Sequence, residues 1–251
     1  MKNNKVLLIL LQLFALVLFA FCLYVFITGD RNIINPKQAV ASQSVIKKKS
    51  KSTSKTASSL PKLSTKDWQL VLVNRDHPKD EMNPELADIN GIYVDTRIAD
   101  AATNFLAAAQ AIDPQEHLIS GYRSVEYQAQ LYQGYVEQEM ANDPSLTQEA
   151  AEKLVQTYSQ PAGSSEHQTG LAIDMSTVDL LNQSDPAVVK QIVDIAPEYG
   201  FVLRFKEDKK GSTGVGYEDW HYRYVGKKAA VYMTKHNLSL EEFIKALKES
   251  E

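Results

Sequence analysis

Five histidines carry the most versatile chemistry in the chain: His77, His117, His167, His221 and His236. His77 lies in a loop of Asp and Pro, and His236 just precedes a terminal helix, so both read as surface residues. His117 follows an acidic turn before a strand and reads as structural. His167 and His221 have different neighbours. Gly163 and Gly170 bracket His167, and the apolar run Leu171-Ala172-Ile173 then delivers Asp174. Imidazole and carboxylate are good Zn²⁺ ligands, and a catalytic site typically uses three protein ligands and leaves a fourth position open. His221, in Glu218-Asp219-Trp220-His221, could be the third ligand. Glu218, three residues earlier, would then be the natural base, taking a proton from water that the metal activates near neutral pH. The competing reading is an aromatic strand in which Trp220 and Tyr222 pack in the core and His221 is satisfied locally. Arg123 follows Ser120-Gly121-Tyr122, and a guanidinium there could stabilise a developing oxyanion, pair with a substrate carboxylate, or form a surface ion pair.

These residues need elements to position them. Trp68 to Asn74 reads as an opening strand, followed by an Asp- and Pro-rich loop from Arg75 to Pro84. Asp95 can cap a helix whose apolar positions include Ile98, Ala102, Phe105 and Leu106. Leu118 to Tyr122 reads as a short strand ending at a glycine turn. A helix with Tyr127, Leu131, Tyr135 and Val136 follows, Asp143-Pro144 breaks it, and another runs from about Thr147 to Tyr158. Gly170 to Met175 has strand character. Pro186 to Tyr199 reads as a helix closed by Gly200, and Phe201–Phe205 and Tyr222–Val225 read as strands. Ser239 and Glu242 make a capping box for the last helix, whose apolar face is Leu240, Phe243, Ile244 and Leu247. Helices and short strands without strict βα alternation predict an α+β fold: a small antiparallel sheet flanked by helices.

The 251 residues, 44% hydrophobic and 23% charged with a single cysteine, exclude collagen-like, disulfide-scaffold and wholly disordered readings. The chain is uneven, however. Val6 to Thr28 is 23 residues without a charge, long enough to cross a hydrocarbon core as a helix, for which about 20 are needed. It ends in Tyr24-Val25-Phe26-Ile27-Thr28, which offers no small-residue cleavage site. Residues 1–28 therefore read as a transmembrane signal-anchor, with Lys2 and Lys5 favouring a cytoplasmic N-terminus. Cys22 follows Phe21, too bulky for a lipobox, and reads as a buried membrane thiol.

Residues 29–66 hold nine Lys or Arg against Asp30 alone and read as a disordered Lys/Ser/Thr-rich linker. Its lysines serve solubility and extension, or attraction to anionic lipid or wall polymers. Residues 67–251 form one domain-sized unit with 16 basic and 30 acidic residues. A unit this acidic argues against nucleic acid as a partner, because phosphate binding needs a basic face.

Three segments together resemble one family. Ser120-Gly121-Tyr122-Arg123-Ser124 with Gln128, then Ser165-Glu166-His167-Gln168-Thr169-Gly170-Leu171-Ala172-Ile173-Asp174, then Glu218-Asp219-Trp220-His221 are similar to the VanY-type D-alanyl-D-alanine carboxypeptidases. These are zinc peptidases of the wider group containing lysostaphin-type enzymes and the hedgehog domain. The resemblance covers most of residues 68–247. It implies one Zn²⁺ held by His167, Asp174 and His221, with Glu218 as general base and Arg123 polarising the scissile carbonyl. It also implies that Ser165 and Gln128 help hold the terminal carboxylate of the leaving residue.

The implied activity is removal of the C-terminal D-alanine from peptidoglycan stem pentapeptides, with hydroxide made available by zinc attacking the last peptide carbonyl. Related enzymes trim tetrapeptide stems instead, as L,D-carboxypeptidases of the LdcB type, and the shared motifs do not separate the two. A reading from another class is a non-catalytic wall-binding module, against which intact Glu218 speaks. An adhesin or scaffold held by the linker would leave the three motifs unexplained. The anchor and tether would place the domain outside the cytoplasm, within the wall space. One departure stands out: the family usually has proline where this chain has Asp219. Proline would stiffen that turn, whereas aspartate adds a charge near Glu218.

Overall fold

The computed structural model describes residues 59–180 and 182–250. The predicted anchor, residues 1–28, and most of the linker lie outside the described residues, among which no helix is long and apolar enough to cross a membrane.

Asn90 and Gly91, both at positive φ, make the tight turn of a hairpin between β1 (Leu86–Ile89) and β2 (Ile92–Asp95). An Asn-Gly pair favours this turn because both central residues must be left-handed. Asp95 then accepts from the Arg97 N–H and starts a 3₁₀ turn that runs into α1 (Ala99–Ile112). β3 (His117–Ser120) leads to α2 (Val125–Asn142), capped by Ser124, and α3 (Gln148–Val155), capped by Thr147. After β4 (Ala172–Ser176), α4 (Pro186–Ile195) ends in a 3₁₀ turn at Pro197, where the backbone lacks an N–H donor. β5 (Phe201–Leu203), the short α5 (Lys210–Thr213), β6 (His221–Tyr224), α6 (Lys227–His236) and α7 (Leu240–Lys248) complete the chain. The capping box of Ser239 and Glu242 on α7 is present as expected.

Four strands form one antiparallel sheet in the order β3-β4-β6-β5. Alternation along β4 and β6 sorts the side chains. Ile173, Met175 and Tyr222 face a core with Phe105 of α1 and Ile192 of α4, and Phe105 also stacks on Phe201. Asp174, His221 and Arg223 lie on the opposite alternation. A second apolar cluster joins Val202 and Val225 to α6 and α7, and a third joins α2 to α3.

The expected strand at Trp68–Asn74 is instead a 3₁₀ turn, Trp68–Leu70, followed by irregular chain. The reason is that the Gln69 and Val71 carbonyls accept from the Arg223 guanidinium, at 3.1 and 2.8 Å, rather than from a neighbouring strand. Leu60 and Leu63, from the predicted linker, pack against the α6–α7 cluster.

Behind the sheet, Glu116 is buried and its Oε2 has no hydrogen-bond partner among the described residues. Burial, with Asp113 nearby, pushes its carboxyl from 4.5 up to about 7. The folded state therefore holds this proton longer than the unfolded chain, so stability falls as pH rises from about 4.5 to about 7. Glu116→Gln is expected to match the parent at pH 4.5 and exceed it by on the order of 2 kcal/mol at pH 8. Urea unfolding at the two pH values checks this, and an equal difference at both would refute it.

Candidate active site

The antiparallel registers converge on Asp174. It pairs with His221 across β4–β6 and with Ser120 across β3–β4. The Ser120 hydroxyl donates to Asp174 Oδ2 at 2.6 Å, and Asp174 Oδ1 lies 3.0 Å from His221 Nδ1. His167 arrives from a 3₁₀ turn, Glu166–Thr169, started by the Ser165 side chain and ended by Gly170 at φ +66°. A Cβ at Gly170 would stand 2.8 Å from the Asp95 nitrogen, so glycine is required both for the left-handed turn and for that close approach. Gly121 is constrained too, since a Cβ there would meet the Tyr93 carbonyl oxygen at 2.3 Å. The Gly121 carbonyl in turn lies 2.6 Å from His167 Nδ1.

One ligand atom each from His167, Asp174 and His221 falls within 4.8 Å of the others, and all three residues are buried. The bond to Gly121 fixes the proton on His167 Nδ1 and leaves Nε2, 3.4 Å from Asp174 Oδ2, as the free lone pair. His221 offers Nδ1 to the cluster, because its Nε2 faces Glu166 Oε2 at 3.4 Å. Two imidazole nitrogens and a carboxylate oxygen, with their outer atoms already engaged, fit a single Zn²⁺ with an open fourth position.

Glu166, adjacent to His167, anchors a buried ionic network. Its Oε1 accepts from Arg204 Nε at 2.9 Å and Arg223 Nη1 at 2.8 Å. Arg204 also grips Glu241 of α7 with both terminal nitrogens, at 3.0 and 2.6 Å. Burial opposes ionisation of Glu166, but the two guanidiniums outweigh it and hold the carboxyl far below the usual range. Burial likewise opposes charge on His221, and the bonds to Asp174 and Glu166 lift it to about 9.

Glu218 is 4% exposed, with Oε2 3.8 Å from His221 Nδ1, and its N–H donates to the Phe205 carbonyl. Burial pushes its carboxyl up to about 8, against the pull of His221 and with the push of Asp174. A carboxyl group raised toward neutrality by burial suits proton transfer near neutral pH.

A cleft of about 100 Å³ contains Glu218, His167, Asp174, His221, Arg123 and Ser165 among its walls. Arg123 is held through its backbone by the His167 carbonyl, and its buried Nε has no partner among the described residues. Gln128 is not part of this wall. It is buried one layer back, where Nε2 donates to the Gln160 carbonyl at 2.6 Å and so supports the 159–160 segment that does line the cleft. Asp219, at the usual proline position, uses the N–H that proline lacks: it donates to Asn182 at 3.1 Å, while Oδ2 accepts from the Ser184 N–H at 3.3 Å. Asp219 thereby ties the turn before β6 to the loop before α4. Of the exposed histidines, His117 bridges the Gln115 carbonyl and Asp179, His77 meets Asn74, and His236 packs against Tyr232.

The sequence reading assigned no role to Glu166, Arg204, Arg223 or Ser120. Arg223 left a trace in the sequence, as a lone cation inside the aromatic strand His221-Tyr222-Arg223-Tyr224, where a buried charge demands a partner.

Fold and site together define a small α+β domain built around a single-metal centre of two histidines and an aspartate. The family profile described as VanY, D-alanyl-D-alanine carboxypeptidase, matches residues 91–227. The chain belongs to this family. It is 34% identical over 180 residues to a D-alanyl-D-alanine carboxypeptidase of Enterococcus faecalis, covering 71% of this chain and 66% of that protein.

Among solved structures, VanYB in complex with D-alanine-D-alanine is 34% identical with a TM-score of 0.65, covering 71% of this chain and 98% of that one. A variant of the D,D-pentapeptidase VanY from a VanB-type resistance cassette, in complex with Zn(II), matches with a TM-score of 0.63 at the same identity, covering 71% and 99%. The LdcB LD-carboxypeptidase also matches, at 33% identity and a TM-score of 0.51, covering 67% and 76%.

Proposed function

We propose that this domain is a zinc-dependent D,D-carboxypeptidase that removes the C-terminal D-alanine from peptidoglycan stem pentapeptides. The observation that carries the reading is the buried Glu218 carboxyl beside the convergent His167, Asp174 and His221 atoms, in a cleft that also holds Arg123. Relatives that bind zinc and D-alanine-D-alanine support it. Zn²⁺ held by His167, Asp174 and His221 would supply Lewis-acid polarisation and water activated near neutral pH.

The remaining work falls to this chain's own groups. Glu218 takes the proton from the attacking water and passes it to the nitrogen of the leaving D-alanine. Arg123, on the wall of the cleft, steadies negative charge developing on the scissile carbonyl oxygen. Ser165 lies on the same wall, and its hydroxyl donates to the terminal carboxylate. Ser120 and Gly121 hold Asp174 and His167 in orientation.

The L,D alternative draws support from the 33% identity to LdcB. Full-length protein incubated with a pentapeptide and a tetrapeptide stem, with products read by mass, separates the two. The expected result is loss of one alanine from the pentapeptide only, abolished by a chelator and restored by added Zn²⁺. Loss from the tetrapeptide only would replace this reading with the L,D one. Zinc binding without turnover of either would favour a wall-binding module.

The uncharged run of residues 6–28 and the basic linker support a further proposal: a single-pass membrane anchor holding the domain in the wall space, with linker lysines near anionic wall polymers.

A further inference from the structure

A second, larger cavity of about 360 Å³ adjoins the cleft, and Arg123, Tyr135, Asp174 and Trp220 belong to both walls. The two differ in what they hold. The first holds the metal cluster, with Ser159, Gln160, Ser164, Ser165 and Thr213 on its wall beside Val73, Phe205 and Val215. The second is lined by Tyr93, Ile119, Tyr127, Leu131 and Leu180. Four large apolar side chains lie open here: Tyr93 at 51% exposure, Tyr127 at 54%, Leu180 at 61% and Ile119 at 38%. Exposed apolar side chains gathered beside a metal-binding cleft mark a surface built to be covered by a ligand.

One acid other than Asp174 lines this groove, and that is Asp179. Its Oδ1 is fixed by His117 Nε2 at 2.8 Å, yet its side chain remains 85% exposed. An aliphatic and aromatic trough with an oriented carboxylate is complementary to a side chain with a long methylene stem and a terminal ammonium group.

We infer that the second groove binds the acyl side of the stem peptide, and that Asp179 reads the free side-chain amine of its diamino acid. This rests on the carboxypeptidase reading above and deepens it. The cleft that holds the metal cluster takes the departing alanine, whereas the wall-attached portion of the peptide needs the larger groove. The methylene stem of the diamino residue lies against Leu180 and Ile119, flanked by Tyr93 and Tyr127, and its ammonium meets Asp179. Because that pair stays near solvent, its contribution is modest and appears in substrate preference rather than in the chemical step.

The test uses full-length, zinc-loaded protein and three peptides: a lysine-containing stem peptide, the same peptide with the lysine side-chain amine acetylated, and Nα-acetyl-D-Ala-D-Ala. Unmodified protein should favour the free amine over the acetylated form by three- to tenfold in kcat/KM, with the difference in KM. Asp179→Asn should bring that ratio close to one, while Asp179→Glu retains part of it. A ratio near one in the unmodified protein, or an unchanged ratio in Asp179→Asn, would overturn the inference. Turnover of the short peptide together with either result shows that the carboxypeptidase reading survives. If none of the three peptides loses alanine, both readings fall together.

Discussion

Glu218→Gln is expected to lower kcat by roughly 10²–10⁴-fold, the range that a general acid–base group supplies. The amide keeps the size of the side chain and cannot carry the proton from water to the leaving amine. Zinc content should stay at one ion per chain, because His167, Asp174 and His221 supply the ligand atoms and Glu218 Oε2 stands 3.8 Å from His221 Nδ1. The fold should tolerate the change, because the amide fills the same buried volume as the carboxyl. Steady-state kinetics with metal analysis on the same preparation checks both halves. Near-parental kcat would remove Glu218 from the mechanism, and loss of zinc would recast it as a ligand.

The second large effect is expected at Glu166. Replacing it with alanine would leave the Arg204 and Arg223 guanidiniums, both buried, without the carboxylate that accepts from each. Breaking a buried ion pair by removing one partner costs about 3–5 kcal/mol, a large share of the ~5–15 kcal/mol that holds a domain folded. Glu241 offsets part of this only for Arg204, while Arg223 turns to the Gln69 and Val71 carbonyls.

Glu166→Ala should therefore unfold at markedly lower urea. Glu166→Gln, which retains the volume and one acceptor, should be milder. The milder variant carries the functional test, because Glu166 Oε2 faces His221 Nε2 and helps leave Nδ1 toward the metal. Its zinc affinity should fall about 10–100-fold, the usual effect of losing a partner behind a metal-binding histidine. Equal zinc affinity in Glu166→Gln and parent would confine Glu166 to stability alone.

Much of the site was legible in the chain because metal chemistry restricts residue types. Few side chains serve as zinc ligands, and two of the three here sit in one short segment, with Gly170 between His167 and Asp174 to make the turn. The capping residues Asp95, Ser124, Thr147 and Ser239 act within a few residues of themselves, so helix starts were readable as local events. Where local pattern and distant partners disagreed, the partners won. Trp68 to Asn74 has strand composition, but the carbonyls a strand would pair are claimed by Arg223, about 150 residues further along. Gln128 falls in a motif next to Arg123, yet its side chain turns inward to hold the 159–160 segment.

By itself, then, the sequence determined the chemistry available: the ligand types, the nearby acid, the acidic balance of residues 67–251 and the long uncharged run at the start. Only the tertiary structure decided which atoms meet. Strand register set Asp174 opposite both Ser120 and His221. The approach of Gly121 to His167 chose which imidazole nitrogen stays free. The buried network put Glu166 between two arginines and a histidine drawn from two other segments. The physical reason is that pairing a buried charge and orienting an imidazole depend on distances of about 3 Å between residues far apart in the chain, and only packing fixes such distances.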